Sequence, residues 1–215
     1  MKDVLLLGST TSLGKAFRAA AIDETIYGVP DPTPAAIGEV AKSRNRPFDW
    51  IVNCYGRNHL ATVGDTDIQD LGMLTDNVAP LYWTLESMVH LGPSRVLSVA
   101  SQTYRIAQTN TALYCASKAA LVQLSKTLAR ELAPAGWIIN CLAPGKIIDT
   151  RMSQLTDAQV CELRGWNAKE ADRYALRNIP MRRFTDCAEV VEAMRKILEL
   201  PAYINGTCID MTGGA

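Results

Sequence analysis

The sequence has little with which to bind a metal. His59 and His90 are its only histidines among 215 residues, and none of its six cysteines falls in a C-x-x-C pair. The expectation is no metal site, with Cys54, Cys115, Cys141, Cys161, Cys187 and Cys208 as free thiols in a reducing cytosol. Charge imbalance is also missing: Lys+Arg and Asp+Glu number 22 each. That balance gives no support to a nucleic-acid partner or an acidic tail. No apolar run approaches the roughly 18 residues of a membrane span. The opening Val4-Leu5-Leu6-Leu7 stops at Gly8 without a cleavage-type pattern, so it reads as a first strand and not a signal peptide. Repeats, low-complexity tracts and linkers are absent. The reading is one cytoplasmic domain over residues 1–215, with no nucleic acid and no membrane among its partners.

What is present is alternation. Short apolar runs predict strands at Lys2–Gly8, Thr25–Val29, Asp49–Asn53, Arg95–Ala100, Trp137–Leu142 and Thr207–Met211. Helical patterns fill the intervals at Ser12–Ala21, Pro34–Ser43, Asp67–Leu91 (with a kink at Pro80), Thr111–Leu132, Asp157–Arg177 (broken near Gly165) and Asp186–Leu200. The strands are continuous apolar runs, as expected when both faces of a parallel sheet are covered. The predicted fold class is α/β, a Rossmann-type doubly wound parallel sheet. Ligands in such sheets bind outside the carboxyl ends of the strands, so the residues just after each strand carry the interest.

The first strand runs into Gly8-Ser9-Thr10-Thr11-Ser12-Leu13-Gly14. Gly8 permits a tight turn, Gly14 lets the helix pack close, and the helix amino terminus offers N–H groups and a positive dipole end to a pyrophosphate. The four hydroxyls add hydrogen-bonding capacity. An ordinary turn capped by Ser12 is the competing reading, because Ser12 stands where the middle of the three glycines of such loops is usual.

Tyr114 and Lys118 stand at i and i+4 near the start of a helix and share one face. A nearby ammonium favours the phenolate and lowers a phenol pKa from about 10, so the pair is suited to moving a proton to or from a carbonyl oxygen. A surface Tyr–Lys pair is the plain alternative. Ser101 follows a strand thirteen residues before Tyr114, Asn53 and Gly56 follow another, Asn77 sits unexpectedly inside a helix, and Pro144-Gly145 closes a third strand.

Taken in order, these positions resemble the short-chain dehydrogenase/reductase family over nearly the whole chain. The family's Y-x-x-x-K is present as Tyr114 and Lys118, its serine as Ser101, its N-x-A-G stretch as Asn53-Cys54-Tyr55-Gly56, its helix asparagine as Asn77, and its P-G turn as Pro144-Gly145, followed by Ile147 and Thr150. Ile179–Phe184 and Ile204–Gly214 also resemble its C-terminal third. The resemblance implies an NAD(P)(H)-dependent oxidoreductase of the carbonyl reductase or alcohol dehydrogenase type. Tyr114 would be the general acid in reduction, and Lys118 would depress its pKa and bind the nicotinamide ribose. Ser101 would orient the carbonyl, and Asn77 would hold a water in the relay. The implied cofactor residues are Gly8, Ser9, Thr10, Thr11, Ser12, Leu13, Gly14, Asp31, Asn53, Tyr55, Gly56, Tyr114, Lys118, Pro144, Gly145, Ile147 and Thr150.

The sequence departs from the family where it is short. Only about 27 residues separate the first helix from Asp49–Asn53, room for one strand–helix unit where two are usual. The sheet should therefore have six strands, with one unit missing from the first half. Asp31 suits either of two roles, bonding the ribose 2′-hydroxyl or contacting adenine, according to which strand Thr25–Val29 represents; a turn aspartate is the third option. NAD versus NADP stays open. The substrate, a small carbonyl or alcohol, is expected beside Ser101, Gln102, Tyr104 and Lys146, with Lys146 meeting an anionic group or solvent. A homodimer or homotetramer is expected through the long helices. The alternative function is a non-catalytic cofactor-sensing or scaffold protein on the same fold. A sugar-nucleotide epimerase would need more chain after Thr150, and a cofactor-free lyase of the halohydrin type would have arginine at Lys118.

Overall fold

The computed structural model describes residues 1–215, apart from the side chains of Ile68 and Gln69. Six parallel strands form one sheet: β1 (Lys2–Leu7), β2 (Glu24–Val29), β3 (Trp50–Asn53), β4 (Arg95–Val99), β5 (Ile138–Pro144) and β6 (Cys208–Met211), in the spatial order β2-β1-β3-β4-β5-β6. The helices are α1 (Ser12–Ala19), α2 (Pro34–Lys42), α3 (Gly72–Met88), α4 (Ala112–Leu132), α5 (Arg151–Arg164), α6 (Ala168–Arg177) and α7 (Cys187–Leu198). The order reverses at β1, which has β2 on one side and β3 on the other, and a reversal of this kind opens a crevice at the carboxyl ends.

Both faces of the sheet are covered. Leu5, Leu7, Val29, Ile51, Val96 and Ile139 pack with Ile37, Leu81, Leu85, Leu121 and Leu128 from α2, α3 and α4. Their neighbours Val4, Leu6, Val52, Leu97 and Leu142 face Phe17, Val190, Val191 and Met194 from α1 and α7. Burial on both sides is why these strands read as unbroken apolar runs. At the amino edge, Asp3 and Arg44 form a buried ion pair 2.8 Å apart, and the Asp3 N–H donates to Asp49 at 2.7 Å. Together they tie β1 to the approach to β3.

The six strands match the expectation. β2 pairs with β1 from Lys2↔Glu24 to Leu7↔Val29, so the missing unit is the one that would lie outside β2. Asp31 therefore follows the strand next to β1, which removes the option that Thr25–Val29 is the outer strand. Helix α3 runs through Pro80, and a 3-10 turn flanks it on each side. The largest correction is α5. It begins at Arg151, six residues before the expected Asp157, because the Thr150 hydroxyl accepts the Ser153 N–H at 3.0 Å and caps the helix there. Gly165, at φ +64, ends it, and α6 restarts behind Asn167 and Glu170, which bond each other's backbone N–H groups. Among the described residues no helix is long and apolar enough to cross a membrane.

Candidate active site

The loop after β1 is built by two glycines with different duties. Gly8 has φ +71, and a Cβ there would stand 2.8 Å from the Tyr55 backbone. At Gly14 a Cβ would come 2.2 Å from the Gly8 carbonyl oxygen, so only glycine lets α1 start this close to the turn. Thr11, and not Ser12, caps α1: its hydroxyl accepts the Gly14 N–H at 3.0 Å and donates to the Gly8 carbonyl at 2.8 Å. The Ser12 hydroxyl accepts the Arg151 N–H at 3.1 Å, a bond from this loop to α5 that no sequence signal announced.

Past β3, Asn53 is buried and its side chain accepts the Tyr55 N–H at 3.1 Å, which shapes the turn into Gly56. The Tyr55 hydroxyl reaches Asp31, so the loops after β3 and β2 are joined across the end of β1. Burial first, and that carboxylate second, push the Tyr55 phenol up to about 12.

The four residues proposed for chemistry do converge. Tyr114 and Lys118, one turn apart on α4, are both buried. Ser101, just past β4, hydrogen-bonds the Tyr114 hydroxyl, and Ser101 Oγ also accepts the Thr103 N–H at 3.3 Å. The Lys118 ammonium donates to the Val99 carbonyl at 3.0 Å and lies 5.7 Å from the Tyr114 ring centre. Asn77 is fully buried: Nδ2 donates to the Arg57 carbonyl at 2.9 Å and to Ser117 Oγ at 2.8 Å, while Oδ1 accepts the Arg57 N–H at 2.7 Å. It therefore ties the β3 loop to α4. Ser117, whose hydroxyl also donates to the Tyr114 carbonyl at 2.8 Å, went unnoticed in the sequence, though a serine one turn from Tyr114 and adjacent to Lys118 was visible.

The electrostatics correct one expectation. Lys118 was expected to pull the Tyr114 pKa down. Desolvation instead pushes the phenol up to about 12, with the Ser101 hydrogen bond opposing. Desolvation also lowers the Lys118 ammonium to about 8. Burial outweighs the attraction between the two groups, because each loses water and the ammonium is aimed at Val99. The Cys54 thiol, buried near Lys118, is pushed up to about 12 and is inert at neutral pH.

A nicotinamide dinucleotide fits these residues on two observations. The buried Lys118 ammonium has three N–H donors and makes one hydrogen bond among the described contacts, which leaves donors for ribose hydroxyls. Gly56 keeps a space open, since a Cβ there would stand 3.1 Å from Asn77 Oδ1 and 3.3 Å from Lys118 Nζ.

Other expected positions are already engaged. The Thr150 hydroxyl caps α5 and donates to the Ile147 carbonyl at 3.3 Å. Gln102 approaches Gly145, where a Cβ would meet its Oε1 at 3.3 Å. The Tyr104 hydroxyl bonds Cys208 on β6. The Lys146 ammonium is held 2.9 Å from Asp157 and 2.9 Å from Asp172, which anchors α5 and α6 to the Pro144-Gly145 turn. The structure therefore does not present Lys146 as a free cation. Among the described residues no group of three or more His, Cys, Asp or Glu gathers to hold a metal.

Residues 34–215 match the family described as "Enoyl-(Acyl carrier protein) reductase". The chain belongs to the short-chain dehydrogenase/reductase family. An "Uncharacterized oxidoreductase YmfI" from Bacillus subtilis is 29% identical over 181 residues, which cover 79% of this chain and 67% of that protein. The "3-oxoacyl-[acyl-carrier-protein] reductase FabG" of Haemophilus influenzae is 32% identical over 134 residues, 60% of this chain and 49% of that one. The matched stretches thus span about half to two thirds of these relatives' lengths. Among solved structures, a short chain dehydrogenase family protein from Francisella tularensis superposes with TM-score 0.88 at 21% identity, covering 100% of this chain and 98% of that one. L-Sorbose reductase from Gluconobacter frateurii, complexed with NADPH and L-sorbose, gives TM-score 0.84 at 20% identity, with 99% and 95% covered. This short-chain dehydrogenase/reductase chain has the family's fold, and the family is one of oxidoreductases.

Proposed function

We propose that the protein is an NAD(P)(H)-dependent oxidoreductase that interconverts a small carbonyl compound and its alcohol. The observation that carries this reading is the buried Tyr114 hydroxyl, hydrogen-bonded to the half-buried Ser101 and set beside the buried Lys118 at the carboxyl end of β4. The loop from Gly8 to Gly14 and the amino terminus of α1 would hold the pyrophosphate. Lys118 and Asn53 would border the nicotinamide ribose, and Pro144, Gly145, Ile147 and Thr150 would flank the ring. When bound, the nicotinamide supplies or accepts the hydride.

The chain's own residues manage the proton. In reduction, Tyr114 donates its hydroxyl hydrogen to the substrate oxygen as negative charge develops there, and Ser101 donates a second hydrogen bond to the same atom. The lost proton is restored along Lys118. Gly56 puts no side chain between Lys118 Nζ and Asn77 Oδ1, and a water on that side would link the ammonium to the outside. Desolvation holds Lys118 near 8, within reach of neutral pH, so its ammonium gives up a proton readily. We place the active unit as a homo-oligomer through α3 and α4, supported by the exposed Ala116, Ala119 and Ala120 on α4.

The scaffold reading has one observation in its favour: the Tyr55–Asp31 bond crosses the side where adenosine would lie, with no outer strand beyond β2. Titration with NADH and NADPH, followed by energy transfer from the tryptophans, separates the two. Binding followed by carbonyl turnover that disappears in Tyr114→Phe supports the oxidoreductase. A folded protein that binds neither cofactor supports the scaffold.

A further inference from the structure

Helix α5 has fourteen residues and buries none of them, so the apolar core does not hold it in place. Its attachments are polar. Thr156 accepts from Asn58 Nδ2 at 3.3 Å, Gln159 accepts the Leu60 N–H at 3.4 Å and meets His59 at 3.0 Å, and Asp157 pairs with Lys146. At the amino end, the Arg151 N–H donates to Ser12 Oγ at 3.1 Å. Ser12 is the first residue of α1 and Arg151 the first of α5, so two helix amino termini meet at this hydroxyl.

We propose that Ser12, standing where the phosphate-loop pattern has glycine, is a positioning residue that docks the start of α5 over the dinucleotide cleft and sets how long the cofactor stays bound. The cofactor half of this inference rests on the proposed function; the docking half does not.

The first N–H groups of a helix lack intrahelical partners. In α5, Thr150 satisfies Ser153 from within, with its hydroxyl, and Gln154 with its carbonyl at 3.1 Å. Arg151 is satisfied from another element, by Ser12. Glycine or alanine at position 12 removes that acceptor and returns the N–H to water. The hydroxyl has a second capacity, because it accepts from Arg151 while its own hydrogen stays free to donate. A phosphate oxygen only accepts, so one hydroxyl can bond α5 and a pyrophosphate together. A bare glycine can do neither, and a serine that merely filled space would hinder the phosphate.

The test compares wild type with Ser12→Gly and Ser12→Ala, using matching thermal midpoints to establish that both fold. Two quantities are read: amide hydrogen exchange across residues 151–164 without cofactor, and the dissociation rates of NADPH and NADH by stopped flow. Loss of one hydrogen bond predicts both to speed up by roughly 2- to 10-fold. Unchanged exchange overturns the docking. Faster exchange with an unchanged or slower cofactor release overturns the retention role, and tighter binding by Ser12→Gly would mark Ser12 as an obstruction. If wild type binds neither cofactor, the proposed function and the retention role fall together, while the exchange measurement still decides the docking.

Discussion

The ammonium of Lys118 lies one helical turn from Tyr114, 5.7 Å from its ring centre, yet it is hydrogen-bonded to the Val99 carbonyl and not to the phenol. The pair is assembled without being directly bonded, and burial dominates both groups. Each holds its neutral form more firmly than it would in water.

Lys118 should therefore destabilise the fold at neutral pH. Its folded value of about 8 lies below the ordinary 10.5, so below pH 8 the folded state carries the full cost of a buried charge. As pH rises from 8 to 10.5, the unfolded state binds the extra proton and wild-type stability climbs. At ~1.4 kcal/mol per pKa unit the cost is about 3 kcal/mol near pH 7, reduced in practice by the lost bond to Val99. Urea denaturation should find Lys118→Met more stable than wild type at pH 7, by a margin that shrinks clearly by pH 9.5. A margin independent of pH would contradict the buried-charge account.

Tyr114→Phe keeps the ring in its packing and removes only the hydroxyl. Turnover should fall by roughly 10²- to 10⁴-fold, the usual worth of general acid–base catalysis, with cofactor affinity nearly unchanged. Ser101→Ala should cost less, since it removes a hydrogen bond and leaves the proton donor in place. Steady-state kinetics beside the fluorescence titration resolves both.

Gly14→Ala places a Cβ, fixed to the helix backbone, 2.2 Å from the Gly8 carbonyl oxygen, which is itself backbone. The helix must shift, so the variant should lower the thermal midpoint and weaken both cofactors together. Gly38→Ala is the control: its Cβ meets nothing within 4 Å, and in the middle of α2 alanine should leave stability equal or raise it by up to about 1 kcal/mol. Differential scanning calorimetry compares the two directly.

Asp31 places a carboxylate at the end of the strand beside β1. Asp31→Asn should improve NADPH relative to NADH by removing a like charge from the 2′-phosphate. Tyr55→Phe frees the carboxylate without removing it, so it should shift NADH affinity more than NADPH affinity. Parallel titrations of the two variants would show either pattern, and an unchanged ratio in both would place the ribose elsewhere.

The strands were legible because burial on both faces leaves an unbroken apolar run that chance seldom imitates. The missing unit was legible from chain length alone. The start of α5 was not, because its cap at Thr150 lacks the acidic partner three residues on that marks α6 with Asn167 and Glu170. Of the site, Tyr114, Lys118 and Ser101 could be found from spacing, since adjacent turns and strand ends fix where they meet. The acceptor for Lys118 is a backbone carbonyl, which no residue type reveals. The Asp31–Tyr55 and Ser12–Arg151 bonds link residues far apart in sequence, and neither falls at a periodic spacing. Lys146 showed its charge in the sequence but not the two aspartates that neutralise it.

The shortened first half has a consequence beyond the cofactor cleft. Without an outer strand, β2 is the border of the sheet, and the backbone N–H and C=O groups on its outer side have no strand to pair with. Such a border is a template for strand addition, and natural proteins blunt it with charge, glycine or proline. Here Gly28 weakens the end of the strand, and Pro30 follows immediately with no N–H to offer. The loss that trimmed the nucleotide half thus left this chain with a self-association hazard, and the residues bordering β2 are the ones that hold it in check.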